Sequence, residues 1–73
     1  MKKVDFYSDI KEVLMIEASE VNENTPVQLT SLTTLAVMAF IDEHFNKQVK
    51  TADLKNINKI SDLIGLIGPE NLQ

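Results

Sequence analysis

Apolar residues recur at helical spacing in the first part of the chain. Phe6, Ile10, Val13 and Leu14 are separated by four, seven and eight positions from the first of them, which places them on one stripe of a 3.6-residue helix. This pattern predicts a helix from about Val4 to Ala18. Ser19 to Thr30 follows as a loop, because asparagine, threonine and proline dominate it and its apolar residues show no period.

The second apolar stretch is an unbroken run of seven residues, Leu35 to Ile41. Its two alanines and its methionine are poor strand formers, and the pattern continues to Phe45, so we predict a helix rather than a buried strand. Thr30 or Ser31 is expected to begin it, because either hydroxyl can accept a hydrogen bond from a free N–H of the first turn. The helix is apolar nearly all round, so it is expected at the centre of the fold or with one face against a partner; its second stripe comprises Leu32, Leu35, Ala36 and Ala39.

Two shorter helices are predicted in the last third of the chain. Thr51 is a candidate N-cap for a helix that reaches about Asn56, and Ser61 is a candidate N-cap for the next. Gly68-Pro69 is predicted to end that fourth helix, because glycine readily adopts the left-handed conformation at a helix C-terminus and proline cannot continue a helix. The apolar stripe of the fourth helix comprises Leu63, Ile64, Leu66 and Ile67.

A glycine inside the fourth helix, Gly65, costs roughly 1 kcal/mol relative to alanine, so we expect it at a close helix contact. Together the four segments predict an all-α fold. The expected architecture is a small four-helix bundle, with three main helices and a short third one, forming a single domain over residues 1–73.

Composition narrows the classes of function. The chain has no cysteine, which excludes a disulfide framework, a thiolate metal site and a cysteine nucleophile. Seven lysines, no arginine and eleven acidic residues give a net charge of -4, so nucleic acid is a disfavoured partner. A DNA-binding helix-turn-helix motif formed by the third and fourth helices is disfavoured for the same reason.

The hydropathy of the chain and its N-terminal residues indicate whether it enters a membrane or is secreted. The longest apolar run has seven residues, far short of the roughly 20 that span a membrane. The chain starts Met1-Lys2-Lys3-Val4-Asp5 and turns acidic at once, unlike a signal peptide. These features predict a cytoplasmic protein that does not insert into membranes, and a monomer is the simplest expectation.

Catalytic and metal-binding patterns are not apparent. His44 is the single histidine, and its neighbours Asp42 and Glu43 point in other directions on a helix. Neither an HExxH motif nor an EF-hand loop nor a glycine-rich phosphate loop is present. Without a nucleophile and base in a plausible arrangement, an independent enzyme is the least favoured class, and no metal site is predicted.

The start of the second helix carries a more specific pattern. Ser31-Leu32, followed by the apolar run and then by Asp42, Glu43 and Phe45, resembles the acyl carrier protein family. That family has a serine–leucine pair at the start of a helix that ends in acids and a phenylalanine. The similarity continues at family spacing through the later apolar positions, which are Val49, Leu54, Ile57, Ile60 and Ile67.

The resemblance implies a function. Ser31 would carry 4′-phosphopantetheine, flanked by Thr30 and Leu32, and the chain would shuttle acyl thioesters between enzymes of fatty-acid, polyketide-like or aryl-polyene synthesis. Its partners would be a phosphopantetheinyl transferase and the acyl-loading and synthase enzymes. Partner recognition would use Leu32, Ala36, Ala39, Phe40, Asp42 and Glu43. Acyl chains would be enclosed by Leu35, Met38, Ile41, Leu54, Ile57 and Leu63.

The chain departs from the family pattern in several places around the serine. Thr30 stands where the family has aspartate, and Thr33 and Ala36 stand where acids are common. Steering by a basic partner should therefore be weaker, and a specialised carrier is favoured over a general one. The alternative is a carrier-like helical module that is not modified and binds a partner protein through its second helix. Without the resemblance, Ser31 would be interpreted as a plain N-cap.

Overall fold

The computed structural model describes all 73 residues and contains four α-helices and no strand. Both the all-α class and the number of helices are confirmed. The longest helix has 15 residues, and none combines the length and apolar character needed to cross a membrane. The elements are α1 (Lys3–Val13), α2 (Ser31–Phe45), α3 (Thr51–Leu54), α4 (Ile60–Ile67) and a 3₁₀ turn (Pro69–Asn71).

One hydrophobic cluster of 14 buried residues receives side chains from every helix. The predicted stripe of α1 faces it, with Phe6 and Ile10 fully buried and Leu14 nearly so. Helix α4 buries most of its predicted stripe in the same cluster. Aromatic side chains from α1 and α2 meet in this cluster, where the ring centroids of Phe6 and Phe40 lie 6.2 Å apart. Because these helices share one core, they depend on one another for stability.

Helix α1 ends five residues earlier than predicted, at Val13, because the chain reverses at Met15. Met15 has φ 59°, and the N–H of Ile16 donates to the carbonyl of Lys11 at 3.0 Å. A left-handed residue followed by this bond is the Schellman ending, which usually uses glycine. Ile16 contacts the core from this turn and not from a helix.

Met15→Gly should therefore stabilise the protein by about 1 kcal/mol, since glycine adopts positive φ without a Cβ penalty. The Met15 side chain is 68% exposed, so little packing is lost with it. Urea unfolding of the two proteins measures the change. Met15→Ala is the control, because it removes the same side chain but keeps the Cβ. Equal midpoints for the glycine and alanine variants would contradict the backbone explanation.

The long loop before α2 is held against the junction of α3 and α4. Val27 donates its N–H to the carbonyl of Asn58 at 2.8 Å, and Ile60 donates to Thr25 at 3.0 Å. These bonds surround an isolated bridge between Pro26 and Lys59. Val27 itself is buried, as expected for a loop pinned to the core. The loop is therefore fixed to this junction three residues before Thr30.

The predicted N-caps of α3 and α4 are wrong. Thr51 lies inside α3 and Ser61 inside α4, while lysines occupy the capping positions. Carboxylates from the first turns accept the free N–H groups instead. Asp53 Oδ2 accepts from the Lys50 N–H at 3.0 Å, and Asp62 Oδ2 accepts from the Lys59 N–H at 3.2 Å. Each of these bonds is one half of a capping box, in which the side chain at the third helical position accepts from the N–H of the capping residue. A carboxylate is favourable there because the N-terminus of a helix carries partial positive charge.

Gly68 ends α4 as predicted, with φ 100°. Gly65, in contrast, does not lie at a close helix contact. It is exposed, and a Cβ added there would meet no atom within 4 Å. Its predicted packing role is therefore wrong, and the backbone cost of glycine in a helix is not offset within this chain.

Gly65→Ala should raise the free energy of unfolding by about 0.5–1 kcal/mol, because alanine loses less backbone freedom on folding into a helix. A thermal melt of the two proteins measures the gain. Gly68→Ala is the matched control, and it should destabilise the protein because position 68 has positive φ. A Gly65→Ala variant that melts at a lower temperature would mean that position 65 has a contact not seen here.

The first and last residues of the chain pair with each other. Lys3 donates its N–H to the carbonyl of Gln73, and Gln73 donates to Met1, both at 2.9 Å. Leu72 is buried beside this pairing, and the side-chain amide of Asn71 donates to the carbonyl of Ile67 at 2.8 Å. We call this arrangement of residues 1–3 and 71–73 the terminal clasp.

Candidate functional site

Thr30, and not Ser31, is the N-cap of α2. Thr30 Oγ1 accepts from the Thr33 N–H at 3.2 Å, and Thr33 Oγ1 accepts from the Thr30 N–H at 2.8 Å. The two hydroxyls also lie 3.2 Å apart. This reciprocal pair is a capping box built from two threonines. The plain N-cap interpretation of Ser31 is therefore wrong.

Ser31 is the first residue of α2 and is exposed. Its side chain takes no part in the capping bonds, which join only its two threonine neighbours. The first N–H groups of a helix have no acceptor within the helix, and they carry its partial positive charge. An accessible hydroxyl therefore stands at a position that also favours a nearby anion.

An apolar face of α2 begins directly beside Ser31. Leu32 is 66% exposed and Leu35 is 65% exposed, the two most exposed large apolar side chains of the helix. Ala39 extends this face, and Asp42 and Glu43 are exposed beyond it near the end of the helix. We call the surface formed by these five residues the α2 face: Leu32, Leu35, Ala39, Asp42 and Glu43. The first turn of α2 contains no acid, so its negative charge lies at the far end only.

Four residues of the predicted recognition set are exposed on the α2 face: Leu32, Ala39, Asp42 and Glu43. Ala36 is partly buried rather than exposed. Phe40 is wrong as a surface contact, because it is only 6% exposed. Its ring lies 6.2 Å from the ring of Phe6 and 4.5 Å from that of His44. Phe40 belongs to the buried side of α2, where Thr33, Val37, Phe40 and Ile41 follow the helical spacing of the core.

The six predicted acyl-chain walls are not brought together. Leu35 lies on the surface, so its assignment to an enclosed pocket is wrong. Ile41 and Leu63 are fully buried within the close-packed core. Met38 lines a separate groove of about 470 Å³ beside Val49. Only the remaining two candidates, Leu54 and Ile57, line one cavity together.

That last cavity, of about 190 Å³, lies between the start of α2 and α3. Thr34, which lies about one helical turn after Ser31 on α2, forms part of its wall. We call it the threonine groove. It is lined by Leu29, Thr34, Thr51, Leu54, Lys55 and Ile57.

His44 is exposed, and its ring contacts that of Phe40 at an interplanar angle of 43°. Nowhere do three or more histidine, aspartate or glutamate side chains converge in a way that could hold a metal ion. The side chain that stands out chemically is therefore the Ser31 hydroxyl, at a helix terminus and beside an exposed apolar face.

Comparison of the chain with protein-family models, with curated proteins and with solved structures finds no match.

Proposed function

We propose that the chain is a carrier protein whose Ser31 hydroxyl is modified with 4′-phosphopantetheine. The observation that carries the proposal is the division of roles between adjacent hydroxyls. Thr30 caps α2, which leaves Ser31 exposed and without a structural bond. A modified serine must be reachable by a transferase, and loss of its hydroxyl must not cost the helix its cap. The pattern from Ser31-Leu32 to Phe45, which resembles that of acyl carrier proteins, supports the same assignment.

The residues around Ser31 fit a phosphodiester. In the loading reaction, Ser31 Oγ would attack the 4′-phosphate phosphorus of coenzyme A and lose its proton to a base on the transferase. One P–O bond forms, the pyrophosphate P–O bond breaks, and adenosine 3′,5′-bisphosphate leaves. The N-terminal N–H groups of α2 would then face the phosphate. The thiol of the bound arm supplies thioester chemistry, so the chain itself would be a substrate and shuttle rather than an enzyme.

The α2 face would be the surface that the partner enzymes contact. Two leucines beside the attachment point supply apolar area, while the acids lie more than two helical turns away. Binding should therefore depend more on Leu32 and Leu35 than on electrostatic attraction. This fits a carrier with dedicated partners in fatty-acid, polyketide-like or aryl-polyene synthesis, working as a cytoplasmic monomer.

The test is loading in vitro. The purified chain is incubated with coenzyme A and a broad-specificity phosphopantetheinyl transferase, and intact mass is measured, with a known carrier as positive control. We expect a gain of one phosphopantetheine. Absence of any gain, with the control carrier fully loaded, would argue against the proposal. The analysis should then be repeated on the protein isolated from its native host, where an unmodified mass would reject it.

A second function is favoured by the apolar character of the α2 face. Exposed leucines at adjacent turns are typical of a helix that packs against another protein. The chain would then be an unmodified interaction module that uses Leu32 and Leu35 but not the Ser31 hydroxyl. Full retention of biological activity by a Ser31→Ala variant in the native host would favour this module over the carrier.

A further inference from the structure

Helix α1 carries a second exposed apolar surface, on the side that does not enter the core. Val4 and Met15 are each 68% exposed, and no other large apolar side chain of the protein is more exposed. Ser8 and Lys11 lie between them at helical spacing. The remaining large exposed apolar residues belong to the α2 face, so the protein has two separate apolar surfaces.

Two grooves lie along this side of α1 and adjoin at Ser8 and Lys11, which line both of them. Met15 lines the first groove, of about 440 Å³, and Val4 lines the second, of about 310 Å³. Even the smaller volume equals that of about ten water molecules in the liquid, at roughly 30 Å³ each. Either groove therefore has room for a large side chain. We call the surface formed by the two grooves the α1 surface.

Glutamates give the α1 surface a negative charge. Glu12 and Glu17 line the first groove, and Glu20 lines the second. All three are exposed, and their carboxylates take no part in the side-chain hydrogen bonds of the protein. Lys11 is the single cation of either groove, and its ammonium donates to the carbonyl of Ser19 at 3.2 Å. Three glutamates and one lysine leave a net charge of −2, which favours a cationic partner.

The shape of the α1 surface indicates a macromolecular partner. Its grooves are open, since most of the side chains that line them are exposed, whereas small-molecule sites bury most of their ligand. Exposed apolar area rimmed by charge is typical of a protein contact. Val4 and Met15 lie 11 positions apart, which corresponds to roughly 16 Å along a helix, or about three turns. A helix of that length, with one apolar and one basic face, matches both grooves.

A second copy of the chain does not supply such a helix. Each of the four α-helices has more aspartate and glutamate than lysine, so none of them is cationic. The lysine-richest segment, residues 47–59, contains only the four-residue helix α3. The occupant must therefore come from another protein.

We propose that the α1 surface binds a cationic amphipathic helix of a partner protein. One apolar side chain of that helix enters each groove, and its lysines or arginines pair with Glu12, Glu17 and Glu20. No residue of α2 lines either groove. The partner therefore leaves Ser31 and the α2 face free, and the inference does not depend on modification of Ser31.

The probe is a helical peptide of about 14 residues that has leucines along one face and lysines at the other positions. It is titrated into the isotope-labelled chain, and backbone amide chemical shifts are followed. We expect saturable shifts at Ser8, Lys11, Met15 and Val21. The matched control peptide has glutamate in place of each lysine and should cause no shift. The proposal is overturned if both peptides bind equally, if neither binds, or if the shifts centre on the α2 face.

Charge reversal tests the role of the glutamates. Glu17→Lys should weaken binding of the lysine peptide about fivefold, because an attraction becomes a repulsion. Glu70→Lys is the matched control, since it makes the same change in net charge at an exposed acid that lines neither groove. Its affinity should equal that of the wild type. Equal losses in the two variants would mean that only net charge matters, and would reject the α1 surface as the site.

Met15→Ala tests the apolar contact. It removes the exposed side chain from the first groove and should weaken the lysine peptide about fivefold. Because the side chain is outside the core, the melt of the variant should stay close to that of the wild type. Unchanged affinity would show that the peptide does not use the groove.

Sedimentation of the wild-type chain alone tests the alternative occupant. We expect the mass of one chain at every concentration. Self-association that is lost in Glu17→Lys and retained in Glu70→Lys would assign the α1 surface to a second copy and overturn the proposal.

Discussion

Replacing Ser31 by alanine should abolish phosphopantetheine loading while leaving stability almost unchanged. The modification needs the hydroxyl oxygen, and no other hydroxyl can replace it at the same place, because Thr30 Oγ1 is engaged in the capping box. The cap that holds the start of α2 remains intact in the variant. Alanine is also a strong helix former, so the free energy of unfolding should change by only a few tenths of a kcal/mol, far less than the ~1 kcal/mol of a lost cap.

Intact mass and a thermal melt measure both halves of this prediction on one preparation. Ser8→Ala is the matched control, since Ser8 is another exposed helical serine and this variant should load completely. A Ser31→Ala protein that still gains the mass of phosphopantetheine would place the modification elsewhere. Loss of loading together with a large fall in Tm would instead assign Ser31 a structural role.

Replacing Phe6 by alanine should cost about 3–5 kcal/mol of folding free energy. The Phe6 side chain is fully buried and packs on the rings of Tyr7 and Phe40, with centroid distances of 5.8 and 6.2 Å. A chain of this length has a total stability of about 4–11 kcal/mol. The truncation therefore removes a large fraction of it, and Tm should fall by at least about 12 °C.

Circular dichroism during thermal and urea unfolding measures this loss. Leu35→Ala is the matched control, because it truncates a large apolar residue of α2 that is 65% exposed. Its effect should stay within about 0.5 kcal/mol. Similar losses in the two variants would mean that Leu35 is buried and that the α2 face is not a free surface.

The helices could be predicted because each carries a periodic apolar stripe. Phe6 and Ile10 face the core as their spacing indicates, and α2 runs from Ser31 to Phe45 as expected. The α2 face was also visible in the sequence, since Leu32, Leu35 and Ala39 form a stripe apart from the buried one. The interpretation of Leu35 as a pocket wall failed because the same leucine was counted toward an interior cavity that does not form there.

The helix ends were harder to predict, because several residues in a row can provide the same cap. At α2, Thr30 and Ser31 were equivalent candidates, and the choice depended on the reciprocal bond that Thr33 can make. At α1, the reversal at Met15 was not predicted, because it occurs at a methionine and glycine is the residue that would have indicated it. Thr34, Thr51 and Lys55 were missed as groove residues, because they converge only when α3 packs beside α2.

The terminal clasp has a consequence for how the chain folds as it is synthesised. When residues up to Ile67 have left the ribosome, all four helices can form, but Leu72 and the partners of Met1 and Lys3 are still missing. These contacts join residues about 70 positions apart, so they close a long loop. The first turn of α1 therefore obtains its last backbone partners only after Gln73 has been translated. The helix that begins at Ser31 can therefore form before the terminal clasp does.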